Sequence, residues 1–146
     1  IGEAAVCTDR VQFVKTHYPE RQGIQPIPVA RAVLLVRNPY DAIESYFNLM
    51  MTGAHTDTLD DAARLKHERF FESYVLREVQ VWKKFHEYWL DQDIPILLVR
   101  YEDLIRHTDR VMSRVLQFSL ELSNTIFSDW RIERCIRDRS IEGLGA

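Results

Sequence analysis

The sequence predicts an α/β domain of three layers, in which helices cover both faces of a central parallel sheet. Three short apolar runs carry this prediction: residues 11–14 (VQFV), 32–36 (AVLLV) and 94–99 (IPILLV). Each run is continuous rather than alternating, which is typical of strands that are covered on both faces. The long segment between the second and third runs has a helical pattern, and a helical crossover is the usual connection between parallel strands.

Length and charge restrict the class of protein. The chain has 146 residues, enough for one compact domain, so residues 1–146 are treated as a single domain. The chain begins without an initiator Met and stops without a capping element, so we expect a partial domain, incomplete at both ends. The net charge of −3 and pI of about 6.0 argue against a general nucleic-acid binder. They leave room for a local cluster of cations around an anionic small molecule.

Membrane and metal sites are not indicated by the sequence. No apolar run approaches the roughly 20 residues that a membrane-spanning helix needs. No cluster of Cys and His has the spacing of a metal site, so we expect no metal. Cys7 and Cys135 lie at opposite ends of the chain and are expected to be unpaired.

The segments between the apolar runs predict two loops and a helix. Residues 18–31 are rich in proline and predict a loop. A helix is predicted to start at Asn38 as N-cap, with Pro39 in the first position and Asp41 in the first turn. It should bury Ile43, Phe47 and Met50 or Met51, and end near Gly53. Residues 53–61 are predicted to be a flexible loop.

The second half of the chain predicts three more helices. The first covers about 67–91 and places aromatic residues on one face, which is typical of core packing. Thr108 is predicted to cap the next helix, which should turn Met112, Val115, Leu116 and Leu120 inward. The last helix is predicted over 124–137.

Polar residues follow each predicted strand, at the sheet edge where α/β proteins bind ligands. Lys15-Thr16-His17 follow the first run, Arg37 the second, and Arg100 and Tyr101 the third. Three strand ends that deliver cations to one edge predict an anion site with a titratable histidine beside it.

Arg37 permits two interpretations. A helix begins directly after it, and guanidinium donors beside free helix N–H groups suit a phosphate or sulfate. Ser45 stands two turns into the same helix. Alternatively, Arg37 forms a structural ion pair with Asp41 or Glu102, and spacing alone leaves both interpretations open.

Lys15 and His17 stand two positions apart, and such residues share a side in an extended chain. A lysine and a histidine facing one pocket suit a reaction in which a hydroxyl loses its proton while negative charge builds nearby. The histidine would accept the proton and the lysine would stabilise the charge.

Together, VKTHYP, VLLVRNPYDAIESYFN and ILLVRYEDL resemble the sulfotransferases that use 3'-phosphoadenosine 5'-phosphosulfate (PAPS). The order of the motifs matches, and so does the step of eight positions from Arg37 to Ser45. The resemblance covers residues 11 to 137 and implies a P-loop-nucleotide-like α/β fold with a central parallel sheet.

The resemblance also implies roles for individual residues. Arg37 and Ser45 would bind the 3'-phosphate, and Tyr101 would lie against the adenine. His17 would be the catalytic base and Lys15 would line the site of sulfuryl transfer. The reaction would be an in-line displacement at sulfur, with PAPS as co-substrate, no metal, and a hydroxyl of a carbohydrate, phenol or other small molecule as acceptor. Asp41, Glu102 and Asp103 would be structural.

The sequence departs from the family pattern in two places. The loop that binds the 5'-phosphosulfate and the late segment that touches the 3'-phosphate are absent, so we expect these 146 residues to be inactive alone. Two alternatives stay open: a non-catalytic relative that retains the anion site, and a P-loop kinase or nucleotidase, whose G-x-x-x-x-G-K-[ST] motif does not occur here. The acceptor and compartment cannot be read, although a Golgi or secretory parent with a missing N-terminal anchor is favoured over a cytoplasmic one.

Overall fold

The computed structural model describes residues 12–19, 26–54 and 56–121. Within them lie two strands and five helices: β1 (Ala32–Val36), α1 (Pro39–Thr52), α2 (Asp61–Lys66), α3 (Glu68–Leu90), β2 (Ile96–Arg100), α4 (Tyr101–Arg106) and α5 (Thr108–Ser119). The strands are parallel, with a helical crossover between them. This confirms the α/β class with a parallel sheet.

The described residues divide into two compact units. The helical unit comprises those of Ile1–Val29 and Asn38–Asp93, and the sheet unit those of Ala30–Arg37 and Ile94–Ala146. Each unit is described by itself.

Helix α1 of the helical unit has the bounds that its capping residues predict. The Asn38 side chain accepts a hydrogen bond from the backbone N–H of Tyr40 at 3.1 Å. Pro39 takes the first helical position, where its missing N–H costs nothing. The helix ends at Gly53, whose φ of 73° is the left-handed conformation that glycine adopts without a Cβ penalty.

The core of the helical unit lies where α1 packs on α3. Phe47 is 3% exposed and Tyr74 1% exposed, and their ring centroids are 5.3 Å apart. Phe71 adds an edge-to-face contact with Phe47 at 4.8 Å. Such aromatic pairs contribute beyond the area they bury. Of the two methionines proposed for the core, Met51 packs against this cluster, whereas Met50 is 42% exposed.

The described residues of 53–60 form no helix or strand, in agreement with the predicted loop, and the short helix α2 that follows them was not predicted. Asp60 caps the start of α2, and its side chain accepts a hydrogen bond from the N–H of Ala63 at 2.7 Å. Its sequence, DAARLK, consists mostly of good helix formers. The buried Asn48 side chain fixes the preceding turn by accepting a hydrogen bond from the N–H of Leu59 at 3.3 Å.

The sheet unit is built on the pairing of β1 with β2. Ala32 lies opposite Ile96 and Val36 opposite Arg100. Strand β2 starts two residues later than its apolar run predicts, although the Pro95 carbonyl still accepts a hydrogen bond from the Ala32 N–H at 3.0 Å. Leu34 and Val99 are the buried residues of the pair.

The predicted first strand, 11–14, is not present as a strand. Residue 11 lies outside the described residues, and Gln12–Val14 have no strand structure. Phe13 is 56% exposed. A strand exists only through its hydrogen-bonded ladder, and among the described residues the ladder joins β1 and β2 alone.

Helices α4 and α5 follow β2 directly. The Thr108 hydroxyl donates to the Leu104 carbonyl at 2.7 Å, so it ties α5 to α4 and does not cap α5 as predicted. Arg31, ahead of β1, holds the end of α5: it donates to the Phe118 carbonyl at 2.6 Å and pairs with Glu121. Of the inward residues predicted for α5, Met112, Val115 and Leu116 are partly buried, whereas Leu120 is 37% exposed. The helix predicted over 124–137 lies outside the described residues.

Candidate functional site

Arg37 and Tyr101 meet at the carboxyl end of the parallel strands. The register pairs Val36 with Arg100, so the next residue of each strand emerges at the same point of the edge. The Arg37 guanidinium carbon lies 4.7 Å from the centroid of the Tyr101 ring, a cation–π contact. Both residues are partly exposed. This contact brings a cation and an aromatic ring together at the ligand-binding edge of the sheet.

The neighbouring arginine has a different partner. The Nε of Arg100 lies 3.7 Å from a carboxylate oxygen of Glu102. Arg100 is exposed, and a surface pair of this kind contributes little to stability. Glu102, one of the carboxylates expected to be structural, therefore pairs with Arg100 at the end of β2.

The segment that carries Lys15 and His17 is fastened to α3 of the helical unit. The indole Nε1 of Trp89 donates to the Tyr18 carbonyl at 2.8 Å. The Tyr18 ring makes an edge-to-face contact with Tyr88, with centroids 5.1 Å apart. Desolvation and the adjacent Tyr18 raise the pKa of the Tyr88 phenol above its ordinary value. Trp89 is only 8% exposed, so its indole anchors an otherwise irregular segment.

Lys15 and His17 lie on the exposed side of this segment. Exposure alternates along it: Lys15 and His17 are exposed, whereas Val14, Thr16 and Tyr18 are partly buried. Thr16 turns its hydroxyl back to accept a hydrogen bond from the Tyr18 N–H at 3.0 Å. The two polar side chains thus share one side of an anchored strand-like segment, an arrangement in which both can face one ligand.

Ser45 stands on α1 of the helical unit, eight positions after Arg37 in the chain. It is exposed, as is Asp41 one turn before it. An exposed serine hydroxyl can donate to a phosphate oxygen.

A cavity in the helical unit was not predicted from the sequence. It has a volume of about 150 Å³ and lies between α1 and α3. Two polar residues of α3, Glu78 and His86, line it together with three aromatic side chains, Tyr46, Trp82 and Phe85. Positions 78, 82 and 86 follow a spacing of four and so share one helix face. That spacing was the only feature of the sequence that could have pointed to the cavity, and it indicates ordinary core packing equally well.

Among residues 12–19, 26–54 and 56–121, no group of His, Cys, Asp or Glu is placed to hold a metal ion. None of the helices described there combines the length and the apolar character needed to cross a bilayer.

A parallel sheet edge that presents a cation and an aromatic ring is typical of α/β domains that bind ligands at the carboxyl ends of their strands. The family model described as "Sulfotransferase domain" matches residues 5–142. The chain belongs to the sulfotransferase-domain family.

Curated relatives are similar to most of the chain. A WSCD family member of Drosophila pseudoobscura pseudoobscura is 32% identical over 114 residues, and one of Drosophila melanogaster is 30% identical over the same length. A WSCD family member of Aedes aegypti is 28% identical. Each alignment covers 77% of this chain and 35% of the relative, so the chain spans about a third of their length. No solved structure matches the chain.

Proposed function

We propose that this domain belongs to an enzyme that transfers a sulfuryl group from PAPS to a hydroxyl of a small molecule or glycan. The observation that carries the proposal is the contact of Arg37 with Tyr101 at the end of the paired strands. A 3'-phosphorylated adenosine needs cationic donors for its phosphate and a flat surface for its base, and these two side chains supply both kinds of group.

The two side chains fit a nucleotide in chemical terms. Arg37 carries five N–H donors in a planar fork that matches phosphate oxygens. Its contact with Tyr101 occupies one face of the phenol ring, and an aromatic ring has a second face on which adenine can stack. The proposal assigns the 3'-phosphate to Arg37 and Ser45, and the adenine to Tyr101.

The proposal assigns the chemistry to His17 and Lys15. When bound, PAPS supplies an activated sulfuryl group. His17 accepts the proton of the acceptor hydroxyl while the hydroxyl oxygen bonds to sulfur. Lys15 stabilises the negative charge that builds on the oxygen between sulfur and the departing 5'-phosphate. The exposed, shared side of these two residues and their anchorage through Trp89 support the assignment.

The test measures transfer of labelled sulfate from PAPS by the full-length protein that carries this domain, with a panel of glycans and phenols as acceptors. We expect product with at least one hydroxyl acceptor. His17→Ala should lower kcat by about 10²–10⁴-fold. Binding of 3',5'-diphosphoadenosine should stay unchanged, because His17 is assigned to the acceptor.

The matched control is His107→Ala, which removes an exposed histidine at the start of α5 and should leave kcat unchanged. Full turnover in the His17→Ala variant would refute the base assignment. Tight binding of 3',5'-diphosphoadenosine without transfer to any acceptor would instead favour a non-catalytic nucleotide-binding relative.

A further inference from the structure

His86, one of the residues that line the cavity between α1 and α3, carries a ring nitrogen for which the described residues supply no partner. The His86 Nδ1 donates to the Trp82 carbonyl at 2.6 Å, since a carbonyl oxygen can only accept. The other ring nitrogen, Nε2, is buried and has no hydrogen-bond partner within the part of the chain that the structure describes. A buried polar atom without a partner is costly, so a ligand that satisfied it would be favoured.

The tautomer of His86 determines what that ligand must supply. In the neutral ring, donation from Nδ1 leaves Nε2 as an acceptor. The ligand must therefore bring a hydrogen-bond donor. The imidazole of His86 packs against the Trp82 ring, with the two centroids 4.1 Å apart. Because Nε2 is buried, a donor in the cavity reaches it only when the side chains that cover it move aside.

The charge in the cavity selects the same kind of ligand. The Glu78 side chain is 14% exposed and also lines the cavity. A carboxylate accepts hydrogen bonds and carries negative charge. The rings of Tyr46, Trp82 and Phe85 add the negative electrostatic potential of aromatic faces. These groups together favour a cation with N–H donors.

We propose that this cavity binds a compact organic ammonium compound, with its N–H groups directed to Glu78 and His86 and its carbon frame among the three aromatic rings. The volume of about 150 Å³ sets the size of the ligand. A cavity of about this volume holds a benzene-sized molecule. None of the residues that line the cavity is assigned a role in sulfuryl transfer, so the proposal is independent of that function.

One residue competes with such a ligand. The Nε of Arg77 lies 3.2 Å from Glu78 Oε1, and this arginine also contacts the Tyr74 ring. Arg77 is 63% exposed and solvated, so its pairing with Glu78 is weak and can be displaced. Removing Arg77 should therefore strengthen ammonium binding.

The test titrates the full chain by calorimetry with benzylammonium, and with benzyl alcohol and toluene as probes of nearly the same shape. We expect benzylammonium to bind at least tenfold more tightly than benzyl alcohol, and toluene to bind most weakly. Glu78→Gln should weaken benzylammonium at least tenfold and change benzyl alcohol less than threefold. Glu87→Gln, an exposed glutamate on the same helix outside the cavity, is the matched control and should change neither.

Arg77→Gln keeps the test informative if Glu78→Gln fails to fold. It alters an exposed residue and should tighten benzylammonium at least twofold, a gain that structural damage would not produce. Equal affinities for the ammonium and the alcohol, no binding of any probe, or an Arg77→Gln variant with unchanged or weaker affinity would each overturn the proposal.

Discussion

Trp89→Phe should release the segment that carries Lys15 and His17. The change removes the hydrogen bond from the indole Nε1 to the Tyr18 carbonyl and leaves an aromatic ring in place. Loss of a neutral hydrogen bond costs about 1 kcal/mol. The smaller ring in a position that is 8% exposed adds about 1–2 kcal/mol. The free energy of unfolding should therefore fall by about 2–3 kcal/mol.

Two measurements distinguish loss of the anchor on residues 15–18 from a general loss of stability. Urea unfolding gives the global change, and amide hydrogen exchange of residues 15–18 reports on the segment. A hydrogen bond of about 1 kcal/mol corresponds to about fivefold faster exchange there, relative to amides in the middle of α3. Trp82→Phe is the control, because it makes the same change on α3 at a ring that packs on His86. If exchange in 15–18 is unchanged while global stability falls, Trp89 is a core residue only and the anchoring argument is wrong.

Three further predictions concern stability. Asn48→Ala should cost about 1–3 kcal/mol in urea unfolding, because the Leu59 N–H loses its acceptor; an unchanged midpoint would show that water replaces it. Gly53→Ala should cost about 1 kcal/mol from its φ of 73° alone, since no atom lies within 4 Å of the added Cβ, so a neutral result would contradict the left-handed cap. The raised pKa of Tyr88 stabilises the folded state below the unfolded pKa of about 10, and this is lost as pH rises through the folded pKa. Thermal unfolding of Tyr88→Phe should therefore depend less steeply on alkaline pH than that of the parent.

Helix α1 shows what local chemistry can predict. Its start follows from Asn38 and Pro39, and its end from Gly53, because capping and backbone conformation depend on neighbouring residues. Helix α2 follows the same rules, through the side chain of Asp60. It escaped prediction because the polar run before it reads as a turn.

Pairing of distant segments was harder to predict. The run at 11–14 has a strand-like composition, yet Gln12–Val14 form no ladder, since composition does not supply a partner strand. The runs at 32–36 and 94–99 do pair, and their parallel register brings Arg37 to Tyr101 as the positions after strands predicted. The roles assigned to Lys15, His17, Arg37, Ser45 and Tyr101 remain predictions.

His86 could not be assigned from the sequence. A histidine on an aromatic helix face is ordinary core composition, and only the packing of α1 against α3 creates the cavity that it lines. That Nε2 has no partner among the described residues is a property of this packing.

The central claim is that Arg37 binds the 3'-phosphate, and nucleotide binding to an Arg37 variant tests it most directly. The full-length protein and its Arg37→Ala variant are titrated with 3',5'-diphosphoadenosine and with adenosine 5'-phosphate, and Arg106→Ala, an exposed arginine on α4, serves as control. A charge-assisted contact of about 1.5–3 kcal/mol predicts that Arg37→Ala weakens the diphosphate about tenfold to a hundredfold and the monophosphate far less. Equal losses for both nucleotides, or no loss for either, would contradict the assignment of Arg37 to the 3'-phosphate.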